Sequence, residues 1–203
     1  MFSGIVQNKT PLCVEQEKTL LKTFSIELTP KQEDGLVIGA SIALNGVCLT
    51  VTKVVQNRAY FDVMMETLRA TNLGQIASGD FVNTERAAKF GDDIGGHAMS
   101  GHVAAAVEIV EIEQPENNCI IWLKLKPEQR KYIFTKGFVG LNGCSLTIGE
   151  VLEDRFNVYL IPETLAVTNF GEAKVGDLVN IEYDAQTQTI VETLERMRDA
   201  GQL

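Results

Sequence analysis

The sequence predicts an all-β protein made of two tandem copies of one small closed barrel, followed by a single helix. Three observations carry this. The chain repeats itself at a constant spacing. Each copy is a series of short strand-like runs separated by turn signals. Only the last stretch, Gln186 to Arg198, changes to helical periodicity.

The repeat fixes the domain count. Leu44-Asn45-Gly46-Val47-Cys48-Leu49-Thr50-Val51 returns as Leu141-Asn142-Gly143-Cys144-Ser145-Leu146-Thr147-Ile148, an offset of 141 minus 44, or 97 residues. Glu66-Thr67-Leu68 returns as Glu163-Thr164-Leu165, Thr71-Asn72-Leu73-Gly74 as Thr168-Asn169-Phe170-Gly171, and Gly79-Asp80-Phe81-Val82-Asn83-Thr84-Glu85 as Gly176-Asp177-Leu178-Val179-Asn180-Ile181-Glu182. Ser3-Gly4-Ile5-Val6 returns as Ser100-Gly101-His102-Val103 at the same offset. A period this long is a domain, not a solenoid unit of roughly 20–50 residues. Expected boundaries are 1–95 for the first barrel with its linker, 96–185 for the second, and 186–203 for the terminal helix. The linker, 87–95, is short, so the two barrels should touch.

Within each copy the strands follow from side-chain alternation. Phe24-Ser25-Ile26-Glu27-Leu28 alternates apolar and polar residues, the period of a half-buried strand. Asn45-Gly46 lies between Ser41-Ile42-Ala43-Leu44 and Val47-Cys48-Leu49-Thr50-Val51. It is a hairpin signal, because a two-residue type I′ turn needs positive φ at both positions. Asn142-Gly143 does the same in the second copy, and Asn57-Arg58 precedes a further strand at Ala59–Met64. Glu66–Arg69 and Glu163–Ala166 read as single helical turns. Many short strands with frequent turns suggest a closed barrel, which leaves no unpaired edge. In the tail, Ile190, Leu194 and Met197 fall on one helical face. That face packs either on its own barrel or in a seam between subunits, and the pattern alone does not choose.

Composition narrows the function classes. With 45% hydrophobic and 22% charged residues the chain is an ordinary globular one. Its net charge of −9 argues against nucleic-acid binding, which needs clustered Lys and Arg. No apolar run approaches membrane-spanning length. The first residues carry no secretory signal pattern, so the expected location is the cytoplasm and the four cysteines are expected as free thiols. Four residues separate His97 from His102, where a helical metal pair needs three, and Gly95-Gly96 disfavours a helix; no metal site is expected.

Two matched barrels offer two matched pockets, and the positions at which the copies differ are the candidates for divided chemistry. Ile5 is matched by His102, Cys48 by Ser145, Ser41 by Phe138 and Asp62 by Tyr159. His102 can exchange a proton near neutral pH or simply hold a backbone group. Cys48 is a nucleophile or a small buried hydrophobe. Ser145 polarises a ligand or bonds its own strand, and no base for nucleophilic attack is visible. Thr50 and Thr147 share a strand face with these residues and are ligand contacts or β-favouring side chains. Glu66 and Glu163 are ligand partners or solvated helix-start carboxylates.

At this point the chain resembles a known family. The opening Met1-Phe2-Ser3-Gly4-Ile5-Val6, the segments Ala43 to Val51 and Glu66 to Gly74, the inter-barrel Gly95-Gly96-His97-Ala98-Met99-Ser100-Gly101-His102-Val103, and the second-barrel Gly143 to Thr147 and Leu160 to Leu165 are similar to the motifs of the riboflavin synthases, in order along nearly the whole chain. The resemblance implies tandem six-stranded Greek-key barrels and a C-terminal helix that joins three chains into a homotrimer. It implies one 6,7-dimethyl-8-ribityllumazine in each barrel, with the active site between barrels of different chains. Two lumazines then dismutate to riboflavin and 5-amino-6-(ribitylamino)uracil by transfer of a four-carbon unit, with no metal or redox cofactor. Lumazine synthase is raised as a candidate partner.

Carried over by motif, the ligand contacts of the first barrel are Gly4, Ile5, Val6, Ser41, Cys48, Leu49, Thr50, Asp62, Val63, Met64, Met65, Glu66 and Thr67. Those of the second are Gly101, His102, Val103, Lys136, Ser145, Leu146, Thr147, Tyr159, Leu160, Ile161, Pro162, Glu163 and Thr164. His102 is implied as the base for the lumazine 7-methyl proton, relayed through Ser145 or Thr147, with Cys48 and Ser41 positioning the nucleophile. Two departures stand out. Asn142 occupies a position where the family commonly has Asp, and Ala104-Ala105-Ala106 follows Val103 where many members carry Asp-Gly. The rival reading is a non-catalytic lumazine- or flavin-binding protein on the same fold.

Overall fold

The structure, a computed structural model, describes residues 1–116 and 118–202. The first barrel contains β1 (Asn8–Lys18), β2 (Leu21–Glu27), β3 (Ser41–Leu44), β4 (Val47–Val55), β5 (Arg58–Met64) and β6 (Phe81–Arg86), with short helices α1 (Pro30–Glu33) and α2 (Met65–Ala70). The second contains β7 (Ala105–Glu113), β8 (Cys119–Lys124), β9 (Phe138–Leu141), β10 (Cys144–Val151), β11 (Arg155–Leu160) and β12 (Leu178–Tyr183), with α3 (Pro162–Val167); α4 (Ala185–Asp199) follows. Both sheets close, in the orders β1-β2-β5-β4-β3-β6 and β7-β8-β11-β10-β9-β12. All pairings are antiparallel. The two orders are the same topology shifted by six strands, as the repeat requires.

The hairpins form where the sequence places them. Asn45 and Gly46 have φ of 45° and 78°, and Asn142 and Gly143 have 44° and 78°. These are the paired positive values of a type I′ turn, whose twist matches that of the flanking strands. The β4–β5 turn lies one residue earlier than expected: it consists of Gln56-Asn57, with Gln56 at φ 52°, and Arg58 already belongs to β5. Each barrel is filled by its own cluster. Leu12, Phe24, Ile26, Ile42, Leu44 and Phe61 fill the first, and Ile109, Ile121, Leu123, Leu141, Ile148 and Phe156 the second. All of these are fully buried, the term that dominates folding.

The barrels meet tip to tip through an asparagine lattice. Asn72 donates to Asn142 Oδ1 at 3.1 Å and its N–H to Asn180 Oδ1 at 2.7 Å. Asn169 mirrors it, donating to Asn45 Oδ1 at 3.1 Å and its N–H to Asn83 Oδ1 at 2.7 Å. Asn83 and Asn180 reach the carbonyls of Asn142 and Asn45 at 3.0 and 2.9 Å. Between these bonds the Gly46 and Gly143 backbones pack directly on one another. Asn142 therefore serves the turn and the barrel interface, which explains the residue found there without any reference to a ligand.

Helix α4 starts at Asp184, whose carboxylate accepts from the N–H and hydroxyl of Thr187, both at 2.8 Å. It rests on its own barrel through polar contacts: Lys131 pairs with Glu195 and Tyr132 donates to Glu192. Ile190 and Leu194 are 60% and 49% exposed. Ile190 and Leu194 are thus not covered by the chain's own barrel, while Met197 is partly buried.

Candidate active site

The two pockets are built by crossed segments. The residues ahead of β1 pass over to the second barrel, and those ahead of β7 pass over to the first. Where the strands cross, Phe2 and Met99 form an isolated antiparallel bridge, with Phe2 N–H to Met99 O at 2.8 Å and the reverse at 3.0 Å. Beyond it, the Ser145 N–H donates to Gly4 O at 2.8 Å and the Cys48 N–H to Gly101 O at 2.9 Å. Val6 is buried in the core of the second barrel, and Val103 packs against that of the first. The expected grouping of Gly4, Ile5 and Val6 with the first barrel, and of Gly101, His102 and Val103 with the second, is reversed in the structure. The cause is that this bridge and these two bonds are made across the repeat boundary.

The first pocket is a cavity of about 260 Å³ lined by Val47, Cys48, Glu66, Thr67, Ala70, Thr71, Gly101, His102 and Val103. Cys48 and Thr50 present alternate residues of β4 to one face, with Ser41 opposite Thr50 on β3. His102 is exposed, and its N–H is held by Ser100 Oγ at 3.0 Å. Asp62, on β5, accepts from the Thr23 hydroxyl at 2.7 Å. Met64 is 64% exposed, while Val63 and Leu49 point into the core. Glu66 and Thr67 lie in the first turn of α2, Met65 at its start.

In the second barrel the equivalent positions gather around Ser145, whose N–H is held by Gly4 O. Ser145 and Thr147 lie on β10, Thr147 opposite Phe138 on β9. Tyr159 is 54% exposed at the end of β11, and Leu160 is buried beside it. Ile161, Pro162, Glu163 and Thr164 enter α3, and Leu146 is buried beneath. Lys136 is exposed in the turn before β9 with φ 70°, where the first barrel has Gly39 at φ 89°.

Ser145 has a partner that sequence reasoning overlooked. His97 Nδ1 lies 2.6 Å from Ser145 Oγ. The imidazole is buried, stacks on Phe138 at 5.2 Å, and its Nε2 finds no hydrogen-bond partner among the described residues. Burial holds its pKa below the ordinary 6.5, against the pull of Asp184, so the ring is neutral at neutral pH. The two histidines thus lie at different barrels: His97 against Ser145 of the second, His102 beside Cys48 of the first. Position 97 has no counterpart in the first copy, so comparing repeats gave no signal for it; only its place in the inter-barrel motif did. An intrachain relay from His102 through Ser145 or Thr147 does not fit, because His102 lines the Cys48 pocket.

Two carboxylates missed at the sequence level are the only buried ones among the described residues. Glu85 accepts from the Ser3 N–H at 2.6 Å, the Ser3 hydroxyl at 2.8 Å and the Gly4 N–H at 3.1 Å. Glu182 accepts from the same three groups of Ser100 and Gly101, at 2.6, 2.8 and 3.1 Å. Burial raises both pKa values, and these donors pull them back down. Their recurrence at the repeat offset was the available signal. Among the described residues no group of three or more His, Cys, Asp or Glu is placed to hold a metal, and no helix is long and apolar enough to cross a membrane.

Comparison with known proteins agrees with this architecture. A lumazine binding domain model matches twice, at residues 3–87 and 100–184. Riboflavin synthase of Escherichia coli (strain K12) is 53% identical over 198 residues, covering 97% of this chain and 93% of that protein. Riboflavin synthase of Bacillus subtilis (strain 168) is 39% identical over 184 residues, covering 91% and 85%. The crystal structure of LumP complexed with riboflavin superposes with a TM-score of 0.81 at 25% identity, over 90% of this chain and 99% of that one. The tandem closed barrels, the doubled domain match and identity along almost the full length lead to one conclusion: the chain belongs to the riboflavin synthase family.

Proposed function

We infer that this chain is a riboflavin synthase, dismutating two molecules of 6,7-dimethyl-8-ribityllumazine to riboflavin and 5-amino-6-(ribitylamino)uracil. The observation that carries it is the pair of barrels with one backbone plan and different chemistry at matching positions: a thiol with an exposed imidazole lining a cavity in the first, a hydroxyl on a buried imidazole in the second. A reaction between two copies of one molecule, one giving and one receiving a four-carbon unit, needs two similar frames that treat their occupants differently. Holding both reactants in register supplies up to ~7–11 kcal/mol in favourable intramolecular cases.

His102 is the candidate base for the 7-methyl proton, and Cys48, Ser41 and Thr50 position the occupant of the first pocket. Ser145, oriented by His97, and Thr147 contact the occupant of the second. Glu66 and Glu163, at matching helix starts, are the candidate partners of the ribityl hydroxyls. A positioned base contributes roughly 10²–10⁴ in rate. Several apolar side chains around the pockets are open to solvent, among them Ile5, Met64, Phe138, Tyr159 and Ile161. Exposed apolar surface of this kind marks a binding face. It supports a site completed by a second chain, in which His102 of one chain faces Ser145 and Thr147 of another. The uncovered Ile190 and Leu194 of α4 support a homotrimer. This reading divides the chain into 1–95, 96–185 and 186–203, places it in the cytoplasm, and keeps lumazine synthase as a candidate partner.

The test is turnover of 6,7-dimethyl-8-ribityllumazine by the purified protein without added metal or redox cofactor. One riboflavin formed for every two lumazines consumed supports this reading. Tight binding without turnover favours the non-catalytic lumazine-binding alternative. His102→Gln should depress kcat far more than lumazine affinity, and equal losses in both would remove the base role.

A further inference from the structure

We propose that Glu85 and Glu182 are cross-barrel positioning residues, each rooted in the last strand of one barrel and fixing the loop that forms part of the opposite barrel's pocket. Glu182 belongs to β12 of the second barrel, yet its carboxylate holds Ser100 and Gly101, and Gly101 O is the acceptor for the Cys48 N–H in the first barrel. Glu85 belongs to β6 of the first barrel, holds Ser3 and Gly4, and Gly4 O accepts from Ser145 in the second.

The chemistry of the bond set favours this role over plain core filling. Taking an ionised carboxylate out of water is costly, and an apolar side chain would fill the space with less penalty. Among the described residues neither glutamate has a Lys or Arg partner within salt-bridge distance, so what holds each charge is three N–H and O–H donors from a single loop. One serine hydroxyl is used twice. Ser100 Oγ donates to Glu182 and accepts from the His102 N–H, so the carboxylate fixes the residue that carries the imidazole. Ser3 Oγ does the same for Ile5, at 3.4 Å. Gly4 and Gly101 have φ of 73° and 81°, a bend that lets consecutive N–H groups converge on one carboxylate.

The identical arrangement at both ends shows that the device belongs to the fold. Its output differs because the loop delivers Ile5 to one pocket and His102 to the other. This inference rests on the reading of the two pockets as the reaction site only for its effect on turnover; the wiring itself is independent of any substrate.

Glu182→Gln and Glu85→Gln test it, because they keep the shape but set an NH₂ against the glycine N–H that the second carboxylate oxygen accepts. Amide hydrogen exchange of the full-length protein is read on 47–50 and 144–147. With Glu182→Gln, exchange at Cys48 should rise roughly tenfold or more, the loss expected for charge-assisted bonds, with Ser145 unchanged. Glu85→Gln should do the reverse. Ser100→Ala, which removes one donor and no backbone, should move Cys48 in the same direction by less. In turnover, Glu182→Gln should lower kcat more than it raises KM for the lumazine. Loosening of the glutamate's own barrel, or equal exchange at both positions, would overturn the proposal. Crossed exchange in a protein whose wild type does not turn over the lumazine would uphold the wiring and overturn the assigned function.

Discussion

Replacing Gly46 with alanine probes the point where the two barrels touch. Gly46 has φ of 78°, a conformation that costs an L-residue about 1–2 kcal/mol. A Cβ built there lies 2.7 Å from Gly143 N and 3.0 Å from Gly143 Cα. Both are backbone atoms, so no rotamer change relieves the contact, and overpacking of this kind adds about 1–3 kcal/mol. The two terms together predict a loss of roughly 2–5 kcal/mol. Gly79 and Gly176 supply the controls. They also have positive φ, 101° and 96°, but nothing lies within 4 Å of a built Cβ. Their alanine variants should show only the conformational cost, about 1–3 kcal/mol. Urea unfolding at one fixed protein concentration separates the cases, since an assembling protein's stability depends on concentration. A Gly46→Ala variant no less stable than Gly79→Ala would refute direct packing of the two turns.

Other expectations follow from the same geometry. Asn142→Asp keeps both acceptor bonds but removes the Nδ2–H that reaches Asn169 Oδ1 at 3.4 Å, so stability should fall by about 1–3 kcal/mol while lumazine affinity, measured by fluorescence titration, stays unchanged. The His97 pKa is depressed in the folded chain. Its contribution to stability is therefore full above the unfolded value of 6.5 and is lost as pH falls through that value toward the native one. Melting temperatures of His97→Phe, which retains a ring against Phe138, should lack that acid-side decline. Glu85 and Glu182 have raised native pKa values and act in the opposite sense: their contribution is full below the unfolded carboxylate range and fades as pH rises through the native values. Glu85→Gln with Glu182→Gln should remove it. Ile190→Glu with Leu194→Glu should leave the barrels folded by circular dichroism and, on the proposed homotrimer, shift sedimentation toward the monomer.

Much of the fold was legible because its determinants are local or repeated. Asn-Gly pairs specify their hairpins through backbone sterics, and a constant offset from Ser3 to Glu182 allows only duplicated domains. Helix α4 was visible in three side chains; its capping aspartate, Asp184, emerged only from the structure. The crossing of residues 2–6 and 99–103 was not legible. Both copies carry the same Ser-Gly motif, so the pattern is satisfied equally whether each segment stays on its own barrel or crosses to the other. The choice is made by the Phe2–Met99 bridge and by Val6 and Val103 filling the opposite cores, contacts that span almost a hundred residues. His97 escaped repeat comparison because the first copy begins after its equivalent position. Asn142 drew attention as a departure from a family pattern, whereas its role follows from its neighbours in the asparagine lattice. The proposed sharing of a site between chains involves a second molecule, which no intrachain pattern encodes.

The central claim is that one reaction site joins the Cys48–His102 pocket of one chain to the Ser145–His97 pocket of another. Mixing two impaired variants, His102→Gln and Ser145→Ala, and reassembling them into mixed trimers tests it directly. A chain with Ser145→Ala still carries an intact first pocket, and one with His102→Gln an intact second pocket. Riboflavin formation by the mixture, well above either variant alone, is the predicted result. Mixed trimers confirmed by mass spectrometry that remain as inactive as their parents would contradict it and place both pockets of the reaction in a single chain.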